Sequence, residues 1–400
     1  MSRPRPSICQ SPARLLLWGS CLVFAFAHRG SPGEGLKGIA QSVWVISERP
    51  LSDDQIEALR DVDSLLIMLP GVSSGDMEES CGFLDSVRIR GKYPVAVFYD
   101  WQPWNPGRKL VSPTAVGPAA SRLVRLCEAF RNTGTGQKHI DLLAHSAGTV
   151  VVNKAALSIA ETGSPVRFRH VLFLGTALDA DEPLGGLKRV SSGVLNAHSA
   201  YDKVNRNIND RLGHLSSLDG GSYRNLRMDR TMGGRIVRHY VFLASNPENW
   251  FQYGSYLATG QWPDPNPDVP GDNCGPDDLH RLALWVLERR EEHYPEVKAM
   301  LPVWLGGRNP EVRYYAALLA GRIKVKSLAP VLQTILADET MPVYLRKEIY
   351  QAFGNFEDGV YVDFLRSARK EDEDCAEELR DVLRDLKRKR IRPVRGPRTR

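Results

Sequence analysis

The chain has 400 residues and a net charge of +6, with hydrophobic residues making up 42% of it and charged residues 25%. This length is large for a single domain, which indicates at least two. The positive charge is confined to the tail, because residues 387–400 hold eight lysines or arginines and no acid, and subtracting these eight from +6 leaves −2 for the rest. The composition therefore indicates no specific nucleic-acid ligand.

The N-terminus has the pattern of a secretory signal peptide. Arg3, Arg5 and Arg14 precede an apolar stretch at residues 15–27 that ends in Ala-Phe-Ala. This stretch is too short for an ordinary transmembrane helix. We therefore expect residues 1–27 to be cleaved and the mature protein to be periplasmic or secreted. Two alternatives are anchoring to the membrane by an uncleaved segment and a lipoprotein acylated at Cys21, the second of which is disfavoured by the bulky Trp18.

Short apolar runs separated by helix-length segments follow the N-terminus. Such an alternation is typical of buried parallel strands in a doubly wound α/β sheet. The runs are residues 64–69, 93–99, 139–143, 171–175 and 192–196, and the helical segments between them include 118–131 and 149–160.

Ser146 follows the third run directly, in the sequence Leu-Leu-Ala-His-Ser-Ala-Gly at residues 142–148. The residues two before and two after it, Ala144 and Gly148, are small. A sharp strand-to-helix turn that exposes a serine hydroxyl requires small residues at these places. Here the chain resembles the α/β-hydrolase family, with Ala144 in place of the first glycine of Gly-x-Ser-x-Gly. A helix capped in the ordinary way by Ser146 is the alternative.

The resemblance implies a serine hydrolase with a Ser-His-Asp triad, in the chain order serine, acid, histidine. Asp202 follows the second apolar run after the serine. The next strand is expected within residues 222–231, and His239 is the first histidine after it. Asp179 and Asp181 are rival candidates for the acid. A strand at 235–243 that carries a structural histidine is the alternative for His239.

The same resemblance implies an oxyanion hole formed by the backbone amides of Val72 and Ala147. Gly71 would let the chain approach the site closely. Acyl transfer to water by a serine needs no cofactor. The cysteines beyond the signal peptide are scattered without metal-binding spacing, which predicts no metal site. These cysteines are Cys81, Cys127, Cys274 and Cys375.

The expected activity is hydrolysis of a carboxylic ester or a lipid-like acyl compound, with ester, thioester and amide substrates all open. Tryptophans in the loop at residues 100–107 could contact an acyl chain or pack as a local core. Two other functions use the same sequence features. One is an inactive hydrolase fold that serves as a binding module, and the other is an acyltransferase that uses the same serine.

The second half of the chain has a different pattern. The proline-rich residues 263–275 are interpreted as a linker after a hydrolase domain at 28–262. Apolar residues then recur at helical spacing, and Gly321 is echoed 33 residues later by Gly354. Helix pairs of this period predict a HEAT-like repeat domain over residues 276–386.

Repeat domains usually present surfaces for protein partners, so we expect a partner there, or else a helical bundle that supports the enzyme. The basic tail at 387–400 is expected to be disordered and to contact anionic surfaces weakly.

Overall fold

The computed structural model describes residues 43–46, 52–71, 77–101, 113–202, 214–218, 220–288, 294–389 and 391. The expected signal peptide, Val72, Trp104 and most of the basic tail lie outside these residues. No helix in the described part of the chain is long and apolar enough to cross a bilayer.

Seven strands form one parallel sheet in the order β1-β3-β2-β4-β5-β6-β7. The strands are β1 (Val43–Ile46), β2 (Ser64–Leu69), β3 (Val95–Tyr99), β4 (His139–His145), β5 (Phe168–Leu174), β6 (Ser191–His198) and β7 (Tyr223–Arg227). All the strands predicted from apolar runs are present. The edge strand β1 has no counterpart among those runs, because four residues are too few to establish a period.

Helices cover both faces of the sheet, as expected for a doubly wound fold. The helices of the sheet domain are α1 (Asp53–Ala58), α2 (Met77–Arg90), α3 (Pro113–Arg131), α4 (Gly148–Thr162), α5 (Gly185–Val190) and α6 (Pro247–Thr259). One hydrophobic cluster joins alternate strand residues such as Leu142 and Val171 to α3, α4 and α5. The other joins their neighbours, such as Leu143 and Leu172, to α2 and α6. The central strands, β2 to β6, are therefore largely buried on both faces, which explains their continuous apolar runs.

The second half of the described chain is helical. Its helices are α7 (Pro276–Glu288), α8 (Tyr294–Gly306), α9 (Pro310–Arg322), α10 (Ala329–Leu336), α11 (Val343–Asn355), α12 (Val362–Glu371) and α13 (Ala376–Arg388). They surround a hydrophobic cluster of their own. The architecture is thus a doubly wound parallel sheet followed by an all-α domain.

The 33-residue echo corresponds to a structural repeat. Gly321 and Gly354 occupy equivalent helix contacts, since a β-carbon at Gly321 would lie 2.7 Å from the Cα of Ala352 and one at Gly354 would lie 2.5 Å from Val382 Cγ1. Lys324 and Glu357, also 33 residues apart, both have left-handed φ angles of 56° and 52°. Each equivalent helix therefore turns in the same way and packs on the next unit through a glycine.

Helix α6 contributes to the cores of both domains. Its Tyr253 packs against Phe83 of the sheet domain, with ring centroids 6.2 Å apart. Its Phe251 packs against His280 of the helical domain, with centroids 4.3 Å apart. The proline-rich segment also contacts the helical domain, because the Asn266 amide donates to the Arg281 carbonyl over 3.1 Å. Residues 263–275 thus follow the surface of the helical domain rather than spacing it from the sheet.

Glu248 on α6 is a buried acid at this junction, with 2% of its surface exposed. Its Oε1 accepts the amide of Met232 over 2.9 Å, whereas Oε2 has no hydrogen-bond partner in the described part of the chain. Burial raises the pKa of Glu248 from 4.5 to about 7. The neutral acid is therefore the favoured form of Glu248 in the folded protein below neutral pH.

The Glu248→Gln substitution is expected to stabilise the protein more at pH 8 than at pH 5. Because the pKa of Glu248 is higher in the folded protein than in the unfolded chain, deprotonation of Glu248 destabilises the folded state. The free energy of unfolding is therefore unaffected by this group below pH 4.5 and falls as the pH rises from there to about 7. At about 1.36 kcal/mol per pKa unit, the gain in unfolding free energy is about 3 kcal/mol at pH 8 and about 1 kcal/mol at pH 5. Urea unfolding of both proteins at pH 5 and pH 8 measures this gain in unfolding free energy. The exposed Glu339→Gln is the control, and a gain independent of pH would contradict the prediction.

Candidate active site

Ser146 forms the turn between β4 and α4. Its φ angle of 51° is left-handed, a conformation that costs energy in a residue other than glycine. Its amide donates to the Leu174 carbonyl over 3.0 Å, and its own carbonyl accepts the Thr149 hydroxyl over 2.6 Å. The N-cap of α4 is Ala147, which makes no side-chain capping bond, so the alternative of a serine-capped helix is wrong. Ser146 has instead the strained geometry of a nucleophile turn.

Small residues are required around this turn by close contacts with the Leu69 backbone and the Ser146 side chain. A β-carbon at Gly148 would lie 2.3 Å from the carbonyl oxygen of Leu69, and one at Gly71 would lie 2.7 Å from Ser146 Cβ. Ala144 is buried within β4 and pairs in register with Leu69. The turn therefore needs glycine at 148 and 71 and accommodates a methyl group at 144, where the sequence departs from Gly-x-Ser-x-Gly.

The structure brings Asp202 and His239 together. Nδ1 of His239 lies 2.9 Å from Oδ2 of Asp202, and each residue is 4% exposed. The carboxylate accepts the Nδ1 proton, which leaves Nε2 of the neutral ring free to accept another. His239 begins a 3₁₀ turn at His239–Leu243, so the alternative of a strand at 235–243 is wrong.

The rival acids have different surroundings. Asp179 and Asp181 follow β5 and are both exposed. Gly175, also after β5, makes room for the acid after β6, because a β-carbon there would lie 3.0 Å from Asp202 Oδ2. The geometry therefore favours Asp202 as the partner of His239.

His145 is also part of this site, although it is not among the site residues predicted from the sequence. Its ring packs against that of His239, with centroids 4.5 Å apart, and its Nε2 donates to the His239 carbonyl over 3.0 Å. Burial, together with the neighbouring His239, lowers the pKa of His145 to about 3. His145 is thus a neutral donor that holds the backbone of His239 against the residue that precedes Ser146. A histidine at the end of a buried strand, where apolar residues are the rule, is the signal that could have indicated it.

Ser146 is 8% exposed, and its hydroxyl makes no hydrogen bond in the described part of the chain. Bonds between a catalytic serine and its base often tighten only when substrate is bound. His239 is connected to this turn by a hydrogen bond from His145, the residue before Ser146.

Of the two expected oxyanion donors, Ala147 lies within the described residues. The amide of Ala147 lies at the N-terminus of α4, where the helix dipole favours negative charge. Val72 lies outside the described residues. Its neighbour Gly71 lies directly against Ser146, which is the close approach expected from the sequence.

A cleft and four cysteines are further features of the described residues. A cleft of about 600 Å³ opens beside β7, with His198, His214, Arg224 and Arg227 among its lining residues and none of the three triad candidates. The cysteines Cys81, Cys127, Cys274 and Cys375 are free thiols. Within the described ranges no group of three or more metal-ligating side chains could hold an ion.

No protein-family model matches the chain, and no curated protein is significantly similar to it. Several solved esterase structures are similar over half of the chain. An esterase of Pyrobaculum calidifontis is 14% identical over 50% of this chain and 76% of its own, with a TM-score of 0.35. Carboxyl esterase 2 of the fungus Tuber melanosporum is 12% identical over 50% and 77%, with a TM-score of 0.36.

Fungal esterase structures of Rhizomucor miehei give 11% identity over 50% and 75%, with a TM-score of 0.35. At these values the similarity assigns neither a reaction nor a substrate to this chain. The parallel sheet, its strand order and the strained turn at Ser146 give the first half of the chain a fold of the α/β-hydrolase type.

Proposed function

We propose that the protein is a serine hydrolase that cleaves an ester-type acyl bond. The observation that carries this proposal is the buried pair of His239 and Asp202, 2.9 Å apart, with His239 packed on the residue next to Ser146. A histidine held by a carboxylate beside a strained serine is the arrangement that activates a hydroxyl for acyl transfer.

In the proposed reaction, Nε2 of His239 takes the proton of the Ser146 hydroxyl as Oγ attacks the acyl carbonyl carbon. Asp202 holds the Nδ1 proton and stabilises the imidazolium. The negative oxygen of the tetrahedral intermediate accepts the amide of Ala147, and that of Val72 by the family resemblance. His239 then protonates the leaving group, and an acyl-serine remains. Water, deprotonated by His239, releases the acid and restores the serine.

His145 has a supporting part in this scheme. Because its pKa of about 3 keeps it neutral, it donates to the His239 carbonyl without placing a second positive charge beside the imidazolium. The base is thereby fixed through both its side chain and its backbone.

Exposed tyrosines support a small-molecule or lipid-like acyl substrate. Tyr201 precedes Asp202 and is 45% exposed, and Tyr240 follows His239 and is 57% exposed. Large aromatic side chains beside the reacting groups bind apolar or aromatic portions of a ligand well. We also propose export, on the strength of the N-terminal sequence pattern.

A fluorophosphonate probe tests the proposed function directly. Such a probe phosphonylates only an activated serine, so we expect one adduct on the full chain, located at Ser146 by peptide mass spectrometry. Folded protein that remains unlabelled would instead be an inactive hydrolase fold. Labelling without hydrolysis of p-nitrophenyl esters would indicate transfer to another acceptor.

A further inference from the structure

His239 is preceded by a short hairpin, residues 229–238, which we name the base hairpin. Arg230 and Ile236 form an antiparallel bridge, and the Thr231 amide donates to the Arg235 carbonyl over 2.8 Å. The chain reverses at residues 232–234, where Gly234 has a φ angle of 94°. The position of His239 therefore depends on where this hairpin is held.

The tip of the base hairpin is inserted into the helical domain. Met232 is 5% exposed and belongs to the hydrophobic cluster of that domain. Asn355 Nδ2 donates to the Gly233 carbonyl over 3.0 Å. A β-carbon at Gly233 would lie 2.7 Å from Glu348 Oε1, so the tip and α11 are in direct contact.

Two ion pairs join the returning arm of the hairpin to α13. Arg235 forms a hydrogen-bonded ion pair with Glu378, which is 6% exposed. Arg238, the residue before His239, lies 3.3 Å from Asp381. Because a buried carboxylate needs its partner, the Arg235 pair binds the hairpin to one position on α13.

The sheet domain holds the opposite side of the same hairpin. The Ser199 hydroxyl donates to the Val237 carbonyl over 2.7 Å, and the Ala200 amide donates to Asp229 Oδ1 over 2.9 Å. The base hairpin is thus clamped between the loop that carries Asp202 and the helical domain.

We propose that the helical domain sets the position of His239, with Arg235 and Glu378 as positioning residues. This inference rests on the proposed role of His239 as the base. The helical domain is then a part of the catalytic unit in addition to any partner surface it presents. Its effect on turnover comes through contacts at Met232, Gly233, Arg235 and Arg238, which lie 1 to 7 residues before the histidine along the chain.

The Glu378→Gln variant in the full chain tests the proposal. Loss of the buried carboxylate leaves Arg235 without its charge partner, and a displaced base lowers turnover. We expect kcat for p-nitrophenyl acetate to fall roughly 10- to 100-fold, the range that about 1 Å of misplacement produces, with KM within about twofold of wild type. The control is Glu377→Gln on the exposed side of α13, which should retain wild-type kcat.

A rescue experiment separates positioning from general loss of stability. The double variant Arg235→Met with Glu378→Leu replaces the ion pair by apolar side chains of similar size, which often restores packing when both partners change. We expect it to recover most of the lost kcat, whereas each single variant remains low. Low kcat in the double variant, with a wild-type Tm, would overturn the assignment of the pair as a positioning device.

Hydrogen exchange gives a readout that does not depend on activity. Amides of residues 236–243 should exchange faster in Glu378→Gln than in wild type, and equally so in a Ser146→Ala background. Unchanged exchange there, or a lowered Tm with unchanged kcat, would overturn the inference. If the wild type fails to react with the fluorophosphonate, the proposed function fails instead, and the exchange result still reports on the hairpin.

Discussion

The Ser146→Ala variant is expected to lose ester hydrolysis and fluorophosphonate labelling completely within the limits of assay. Removal of the nucleophile from a serine hydrolase lowers kcat by about 10⁶-fold. The folded state should change little, because the Ser146 hydroxyl makes no hydrogen bond in the described part of the chain, and alanine tolerates the left-handed turn about as well as serine. Initial rates with p-nitrophenyl esters and the Tm of both proteins give the comparison.

Ser121→Ala provides the matched control, since Ser121 is an exposed serine on α3 whose hydroxyl donates to the Gly117 carbonyl of its own helix. It should keep wild-type rates. Equal probe labelling of wild type and Ser146→Ala would remove Ser146 as the nucleophile and, with it, the proposed mechanism.

The Asp202→Asn variant is expected to reduce kcat by about 10⁴-fold, the effect of the equivalent change in the best-studied serine triad. The physical reason is the tautomer of His239. An asparagine amide can donate to Nδ1, which moves the ring proton to Nε2 and leaves no lone pair there to accept the serine proton. Because the two side chains are 2.9 Å apart and both are buried, we expect the full loss of kcat.

Asp179→Asn and Asp181→Asn are the comparison variants, because they remove the same charge from exposed positions after β5. We expect each to stay within about threefold of wild type, because a substitution at an exposed position usually changes stability by no more than about 0.5 kcal/mol and the proposed mechanism gives these two carboxylates no part. The reverse ranking of the three variants would place the acid on the loop after β5.

The sheet could be predicted from the sequence because buried parallel strands are apolar on both faces and alternate with helices. Leu65 to Leu69 in β2 illustrates the signal, since all five residues are buried. The 33-residue repeat was also predictable, because glycine is required where one unit packs against the next. The edge strand β1 was not, since it has only four residues, of which Val45 is exposed and Ile46 alone is buried, and so few residues carry no period.

The site could be predicted only as far as chain order reaches. The resemblance to the hydrolase family, applied to the order of the strands, implies Ser146, Asp202 and His239, and the structure brings the last two into contact. The packing of His145 on His239 and the pairing of Arg235 with Glu378 join residues 94 and 143 positions apart. Contacts between residues so far apart in sequence leave no local pattern. The proline-rich composition of residues 263–275 predicted a linker, whereas α6 packs in the cores of both domains.

The sharing of α6 by both domains also bears on how the chain folds. Tyr253 completes the core beneath the sheet, while Phe251 on the same helix completes the core of the helical domain. If the helical domain opened alone, α6 would expose part of its buried aromatic surface and Glu248 would lose its enclosure. The two domains are therefore expected to unfold as one cooperative unit. The base hairpin is then held in place only after the C-terminal half of the chain has folded.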